Sequence, residues 1–257
     1  MLLENLTKQK LGNGETVYGC FMRQAEPTLA EFVAMQGWDF LIFDGEHGSL
    51  EVRDIEGLSR ACELHGVTPI ARVSTNQPSV ILRFLDAGAH GVQVPWVNTA
   101  AAAEQAVKSA KYGPRGERGL AGSRQGGWGL TEPLGDYTQR ANRETMVIIH
   151  IETAAAAAAI EDYTAIEDVD VLFIGPTDLS HSLGHPGNPG HPDVVKVMDR
   201  VTEAVVASDK ALGIFVGTRT AAAAWQEKGA TYIATGLEGI IKQGIQAYLP
   251  GNRQRSV

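Results

Sequence analysis

Four polar side chains stand where long apolar runs of the sequence stop. Asp44-Gly45-Glu46-His47 closes one run, Arg72 lies late in another, Glu152 follows His150-Ile151, and Asp178 sits within Gly175-Pro176-Thr177-Asp178-Leu179-Ser180. Two carboxylates such as Glu152 and Asp178 offer hard oxygen ligands. With several waters retained, that set suits Mg²⁺ or Mn²⁺, with Co²⁺ and Zn²⁺ as further choices. An ion held this way keeps open positions for the keto oxygen and carboxylate of a 2-oxo acid, and as a Lewis acid spreads the charge of the derived enolate. Either carboxylate alone reads better as a helix cap or the start of a turn. The metal reading rests on the pair. Arg72 carries a permanent charge that would be costly in an apolar strand unless it faces an open mouth or an anion; its planar fork could hold an oxo oxygen. His47 titrates near neutrality and suits the proton movement that aldol cleavage requires, with Asp44 beside it as a supporting acid.

These residues are far apart in the chain, so the elements that carry them must converge. Short runs rich in β-branched and aromatic residues occur at 17–22, 38–43, 68–73, 90–95, 146–151, 170–174, 212–216 and 231–234. Most are almost continuously apolar, as strands covered on both faces must be. Stretches with helical periodicity lie between them at 28–36, 50–64, 78–87, 99–112, 153–161, 192–208, 220–228 and 238–248. Strand and helix alternate about eight times in 257 residues, which fits a single (β/α)8 TIM barrel spanning residues 1–257. An open doubly wound sheet is the other architecture with this rhythm, but no Gly-x-Gly-x-x-Gly follows the first strand. In the barrel, the carboxyl ends of the strands meet at one mouth, where Asp44, Arg72, Glu152 and Asp178 would gather.

Composition narrows the function further. Residues are 44% hydrophobic and 20% charged, and the formal charge is 22 − 30 = −8. That charge, with no basic stripe, argues against a nucleic-acid partner. Residues 1–10 lack the apolar core of a signal peptide and no stretch approaches a membrane span of ~20 apolar residues, so a cytoplasmic protein without a membrane partner is expected. Cys20 and Cys62 have no ligand spacing and read as reduced structural thiols.

Other chemistries lack their residues. No lysine ends a strand, so a Schiff-base aldolase has no nucleophile; a Gly-x-Ser-x-Gly elbow and a P-loop are both missing. His181, His185 and His191 cluster after the sixth strand with no recognised ligand spacing and read as a solvated Gly/Pro-rich loop. The run 113–129 is too glycine-rich for a helix and reads as a loop, while the alanines at 154–159 read as a closely packed helix.

Taken together, Phe43-Asp44-Gly45-Glu46-His47, Ala71-Arg72-Val73, Ile151-Glu152-Thr153, the run FIGPTDLS at 173–180 and Gly187-Asn188-Pro189 with His191-Pro192 resemble the metal-dependent class II pyruvate aldolases, the 4-hydroxy-2-oxoheptanedioate aldolase family. The likeness covers nearly the whole chain. It implies that Glu152 and Asp178 bind the metal, His47 transfers the proton and Arg72 stabilises the enolate. It also implies that the backbone around Gly175 and Thr177 holds the substrate carboxylate, that Asp86 supports the basicity of His47, and that the chain assembles as a homo-oligomer, a hexamer in this family. Asp86, however, precedes the fourth strand, which would set it near the opposite pole. Position 150 departs from the pattern: the resemblance leads to glutamine, a substrate contact, where this chain has His150. Residues 121–129 also depart, so the roof of the site is expected to differ.

The expected activity is reversible retro-aldol cleavage of a 4-hydroxy-2-oxo acid to pyruvate and an aldehyde. A second reading keeps the enolate and changes its origin or fate, as in oxaloacetate decarboxylation or addition to another acceptor. A third, from a different class, is a metabolite-binding barrel without catalysis.

Overall fold

Eight parallel strands close on themselves in the order of the chain, each hydrogen-bonded to the next and the last to the first. The computed structural model describes residues 2–250; the expected span of 1–257 extends past them at both ends. The strands are β1 (Val17–Met22), β2 (Phe40–Asp44), β3 (Thr68–Arg72), β4 (Gly91–Val94), β5 (Met146–Ile151), β6 (Val171–Ile174), β7 (Ala211–Phe215) and β8 (Tyr232–Gly236). Around them run α1 (Leu6–Gly12), α2 (Pro27–Ala34), α3 (Val52–Glu63), α4 (Pro78–Ala87), α5 (Ala100–Ala110), α6 (Leu134–Glu144), α7 (Ala154–Ala158), α8 (Ile160–Thr164), α9 (Pro176–Ser182), α10 (Pro192–Val206), α11 (Arg219–Glu227) and α12 (Leu237–Tyr248). The (β/α)8 barrel expected from the alternation is the fold.

Two apolar layers form because each strand is covered on both faces. The outer layer packs strand residues such as Leu41, Phe43 and Ile149 against helix residues such as Ile55, Leu85 and Val201. The inner layer fills the lumen with Phe40, Ile42, Ile70, Ile148, Phe173 and Tyr232. The rings of Phe40 and Tyr232 stack at 4.0 Å across it. That stack leaves no room at Gly19 on β1, where a Cβ would come within 2.1 Å of the Phe40 ring. Glycine is required there for backbone and ring to approach.

Differences from the sequence reading lie in the short or polar elements. Helix α1 closes the amino-terminal pole: Asn5 caps it through the Lys8 N–H, and the Thr7 hydroxyl lies 2.8 Å from that of Thr68 on β3. Helix α6 has only Tyr137 and Ala141, one turn apart, to bury, too thin an apolar stripe to stand out among LGDYTQRANRE. The alanine-rich segment forms two short helices, because Ala159 at φ −105°, ψ 23° interrupts it. The stretch after β6 is helical, with Pro176 opening α9 and Asp178 in its first turn.

Candidate active site at the carboxyl-terminal mouth

A cavity of about 490 Å³ opens at the carboxyl ends of the strands, and His47, Arg72, His150, Glu152, Thr177 and Asp178 all line it. Strand register explains the convergence. Asp44 pairs with Arg72 on β2 and β3, and His150 with Phe173 on β5 and β6. Neighbouring strands thus bring Asp44 level with Arg72, and His150 level with Phe173, at the rim of the cavity.

Asp44 is the hub on one side. It is fully buried, and its two oxygens accept from Arg72 Nε at 2.9 Å and Nη2 at 2.6 Å. Its Oδ1 also accepts the backbone N–H groups of Glu46 and His47, each at 3.1 Å. Burial pushes the Asp44 carboxyl up, yet the Arg72 bonds and those two N–H groups outweigh it and hold the carboxyl below its ordinary value. Asp44 thus shapes the loop through the His47 backbone rather than through the imidazole. The His47 side chain is half exposed at the rim, its Nε2 3.9 Å from Glu46 Oε2. Arg72 also reaches Glu46 Oε2 from Nη1 at 3.1 Å, and its guanidinium lies over the Phe21 ring at 4.9 Å. Most of its fork is spent within the protein, which leaves one N–H hydrogen on each Nη for other partners.

Glu152 is the hub on the other side. Its Oε1 accepts the backbone N–H of Trp96 at 2.6 Å and its Oε2 lies 2.6 Å from His150 Nδ1. Burial works to raise this carboxyl, but His150, the Trp96 N–H and Arg72 outweigh it and keep it below its ordinary value. Trp96 adopts φ 55°, in the left-handed region that disfavours a bulky side chain. That conformation turns its N–H toward Glu152 while its indole Nε1 donates to Glu46 Oε1 at 3.0 Å. Gly175 packs on the same carboxylate, since a Cβ there would stand 3.0 Å from Glu152 Oε2. Glu46, between Arg72 and Trp96, is pushed above its ordinary range by burial, with Arg72 opposing and Glu152 reinforcing the shift.

A divalent cation fits this donor set. Each Glu152 oxygen accepts one bond from the protein and retains a second lone pair. Asp178, in the first turn of α9, lines the same cavity, and no hydrogen bond to its carboxylate occurs among the described residues. His185, His191 and Asp193 form a second group with ligand atoms within 4.8 Å of one another, a candidate metal site by proximity. Its chemistry is poorer. The two imidazoles stack at 3.5 Å with planes 15° apart, so their in-plane lone pairs run side by side. His191 Nδ1 already accepts the Asp193 N–H as the cap of α10, whose positive end would face the ion.

Four expectations need correction. Asp86 ends α4 at the amino-terminal pole, where its Oδ1 pairs with Arg118 Nη2 at 2.6 Å; within one chain it does not come to His47. The Gly175 N–H donates to the Ile151 carbonyl at 3.3 Å, continuing the β5–β6 ladder, which leaves the Thr177 N–H as the open donor of the two. His150 reaches the cavity with both ring nitrogens engaged inside the protein, at Glu152 and at Gln93 Nε2, each 2.6 Å away. Within one chain, segment 121–129 does not roof the mouth, because Arg124 pairs with Glu63 at 2.7 Å and Gln125 bonds the Ala89 carbonyl, both at the far pole.

Glu46, Trp96 and Gln93 were missed as members of the site. Glu46 stood in view inside Asp44-Gly45-Glu46-His47, but nothing in the sequence marks Trp96 as left-handed or Gln93 as facing inward.

Comparison with known proteins agrees over nearly the whole chain. The family model described as HpcH/HpaI aldolase/citrate lyase matches residues 17–243. A hydroxypyruvate/pyruvate aldolase of Pseudomonas aeruginosa is 33% identical over 236 residues, 91% of this chain and 87% of that protein. An HpcH/HpaI aldolase/citrate lyase family protein from Burkholderia cenocepacia superposes with a TM-score of 0.89 at 34% identity, covering 95% and 97% of the two chains. The citrate synthase SbnG superposes with a TM-score of 0.84 at 32% identity, covering 93% and 94%.

Proposed function

The chain belongs to the HpcH/HpaI aldolase/citrate lyase family, a family of carbon–carbon lyases, and from that premise we propose that it catalyses reversible retro-aldol cleavage of 4-hydroxy-2-oxo acids to pyruvate and an aldehyde. One observation carries the reading: Glu152, Asp178, Arg72 and His47 line a single cavity. Glu152 and Asp178 would hold a divalent ion, Mg²⁺ or Mn²⁺ by their hard oxygens. When bound, such an ion supplies Lewis acidity to the keto and carboxylate oxygens of the substrate.

The remaining steps belong to side chains. His47 takes the proton of the 4-hydroxyl group at a ring nitrogen as the bond between C3 and C4 breaks, and the aldehyde leaves with that oxygen. The bonding pair moves into the enolate of pyruvate, and a proton returned to C3 completes the cleavage. The remaining N–H hydrogens of Arg72 serve the developing oxyanion from a guanidinium already oriented by Asp44, and therefore without reorganisation cost at the moment of reaction. The Thr177 N–H at the start of α9 donates to the substrate carboxylate. The Phe21, Phe173 and Phe215 rings limit water in the floor of the cavity.

The reading extends to a homo-oligomer, for which the hexamer of the resemblance is the model. Helix α12 buries only Leu237 and leaves Ile240, Ile241 and Ile245 between 41% and 52% exposed, a face suited to another copy of the chain. No helix of the described residues is long and apolar enough to cross a membrane; a cytoplasmic location remains part of the proposal.

The test is proton exchange at the methyl group of pyruvate in D₂O, followed by NMR with Mg²⁺ or Mn²⁺ present. Exchange that disappears with chelator and in Glu152→Gln supports the proposal. Exchange that survives thorough metal removal overturns it. The likeness to a citrate synthase favours one second reading, an enolate consumed by another acceptor or made by decarboxylation, which assays with oxaloacetate beside hydroxy-oxo acids separate from the first.

A further inference from the structure

His150 and Gln93 form a buried polar pair behind Glu152 that the retro-aldol chemistry does not use. His150 is 1% exposed and Gln93 fully buried. The imidazole is clamped in position: its ring stacks on Phe173 at 5.0 Å and 25°, Nδ1 lies 2.6 Å from Glu152 Oε2, and Nε2 lies 2.6 Å from Gln93 Nε2.

The chemistry of the partners assigns the hydrogens. A carboxylate offers only lone pairs, so the hydrogen in the first contact belongs to Nδ1. The Gln93 amide holds the opposite nitrogen, as a donor or, after a half-turn that brings its otherwise unpartnered Oε1 to Nε2, as an acceptor. In either orientation Gln93 anchors the ring so that Nδ1 points at Glu152. With Trp96 N–H on Oε1 and His150 Nδ1–H on Oε2, the carboxylate is held at both of its oxygens.

We infer that His150, anchored by Gln93 and Phe173, is a positioning residue that fixes the Glu152 carboxylate for cation binding, rather than a contact to the substrate. The inference rests on the proposed function for the identity of the ligand, a divalent cation. It explains how histidine can stand where the resemblance leads to glutamine: the imidazole is turned inward to Glu152, and the partner that orients it lies on the neighbouring strand β4.

The experiment compares the full-length protein with His150→Gln, Gln93→Leu and the double variant. Long-range ¹H–¹⁵N spectra of the metal-free protein, with the His150 signal assigned by its loss in His150→Gln, read which nitrogen carries hydrogen. Titration with Mn²⁺ followed by electron paramagnetic resonance reads affinity without turnover. The expected result is a protonated Nδ1 in the parent. Mn²⁺ affinity should fall about 10- to 100-fold in His150→Gln, and Gln93→Leu should add little once His150 is gone. At saturating Mn²⁺ most of kcat should return, while KM for pyruvate stays near that of the parent. A bare Nδ1 in the parent overturns the inference, as does His150→Gln binding Mn²⁺ like the parent while thermal unfolding shows it folded. Failure of the parent itself to bind Mn²⁺ would overturn the proposed function as well, so the two failures are distinguishable.

Discussion

Replacing Asp44 with Asn tests the arginine anchor of the site. The parent has a fully buried carboxylate bonded twice to Arg72, at 2.9 and 2.6 Å. Asparagine keeps the shape and one oxygen to accept the Glu46 and His47 N–H groups, but it removes the charge and turns one Arg72 bond into a donor facing a donor. Leaving one member of a buried ion pair uncompensated costs about 3–5 kcal/mol. Glu46 Oε2, 3.1 Å from Arg72 Nη1, remains as a second counter-charge and places the expected loss near the lower bound, about 3 kcal/mol. For a domain of this size that corresponds to a fall in Tm of roughly 6–12 °C. Thermal unfolding by circular dichroism at pH 7, with saturating Mn²⁺ in parallel samples, measures it. The pH dependence has a fixed sign. The Asp44 carboxyl sits below its ordinary 3.8 in the folded protein, so its stabilisation is complete above that value and fades as pH falls through the lower folded value. Asp44→Asn should therefore narrow the gap to the parent only in strong acid. A Tm within 2 °C of the parent at pH 7, about the shift expected for half a kcal/mol, would refute the reasoning.

Two other perturbations read separate parts of the molecule. His47→Gln should lower kcat for retro-aldol cleavage by about 10²–10⁴ while leaving Mn²⁺ affinity unchanged, since His47 lies at the rim and touches neither Glu152 nor Asp178; loss of Mn²⁺ binding in that variant would contradict the assignment. At the far pole, burial would raise Glu63, but bonds from His90 and Arg124 dominate and bring it to about 2. Its contribution is full above the ordinary 4.5 and lost between there and about pH 2, so acid unfolding of Glu63→Gln, followed by tryptophan fluorescence, should be shallower over that window than in the parent.

The barrel was legible because its signal is repeated: eight apolar runs, each too continuous for an exposed sheet, alternate with amphipathic stretches. Strand ends could then be read as one mouth, which is why Asp44, Arg72, Glu152 and Asp178 could be grouped from positions far apart in the chain. Elements whose signal is local and weak escaped, as α6 did with two buried side chains. Hydrogen bonding was not legible either. That Arg72 spends its fork on Asp44, that the Gly175 N–H belongs to the sheet, and that His150 faces Gln93 and Glu152 depend on strand register and side-chain rotamers that no single sequence displays. Asp86 shows the limit of transferring a role by motif, because the end of α4 brings it to Arg118 instead.

The account stands most directly on Glu152 and Asp178 sharing one cation. A crystal structure of the protein soaked with Mn²⁺ and pyruvate, with anomalous scattering recorded at the manganese edge, measures that. An anomalous peak within bonding distance of an oxygen from each carboxylate, with pyruvate oxygens on its open side, is the predicted result. Manganese found at His185, His191 and Asp193 with none between Glu152 and Asp178 would contradict it.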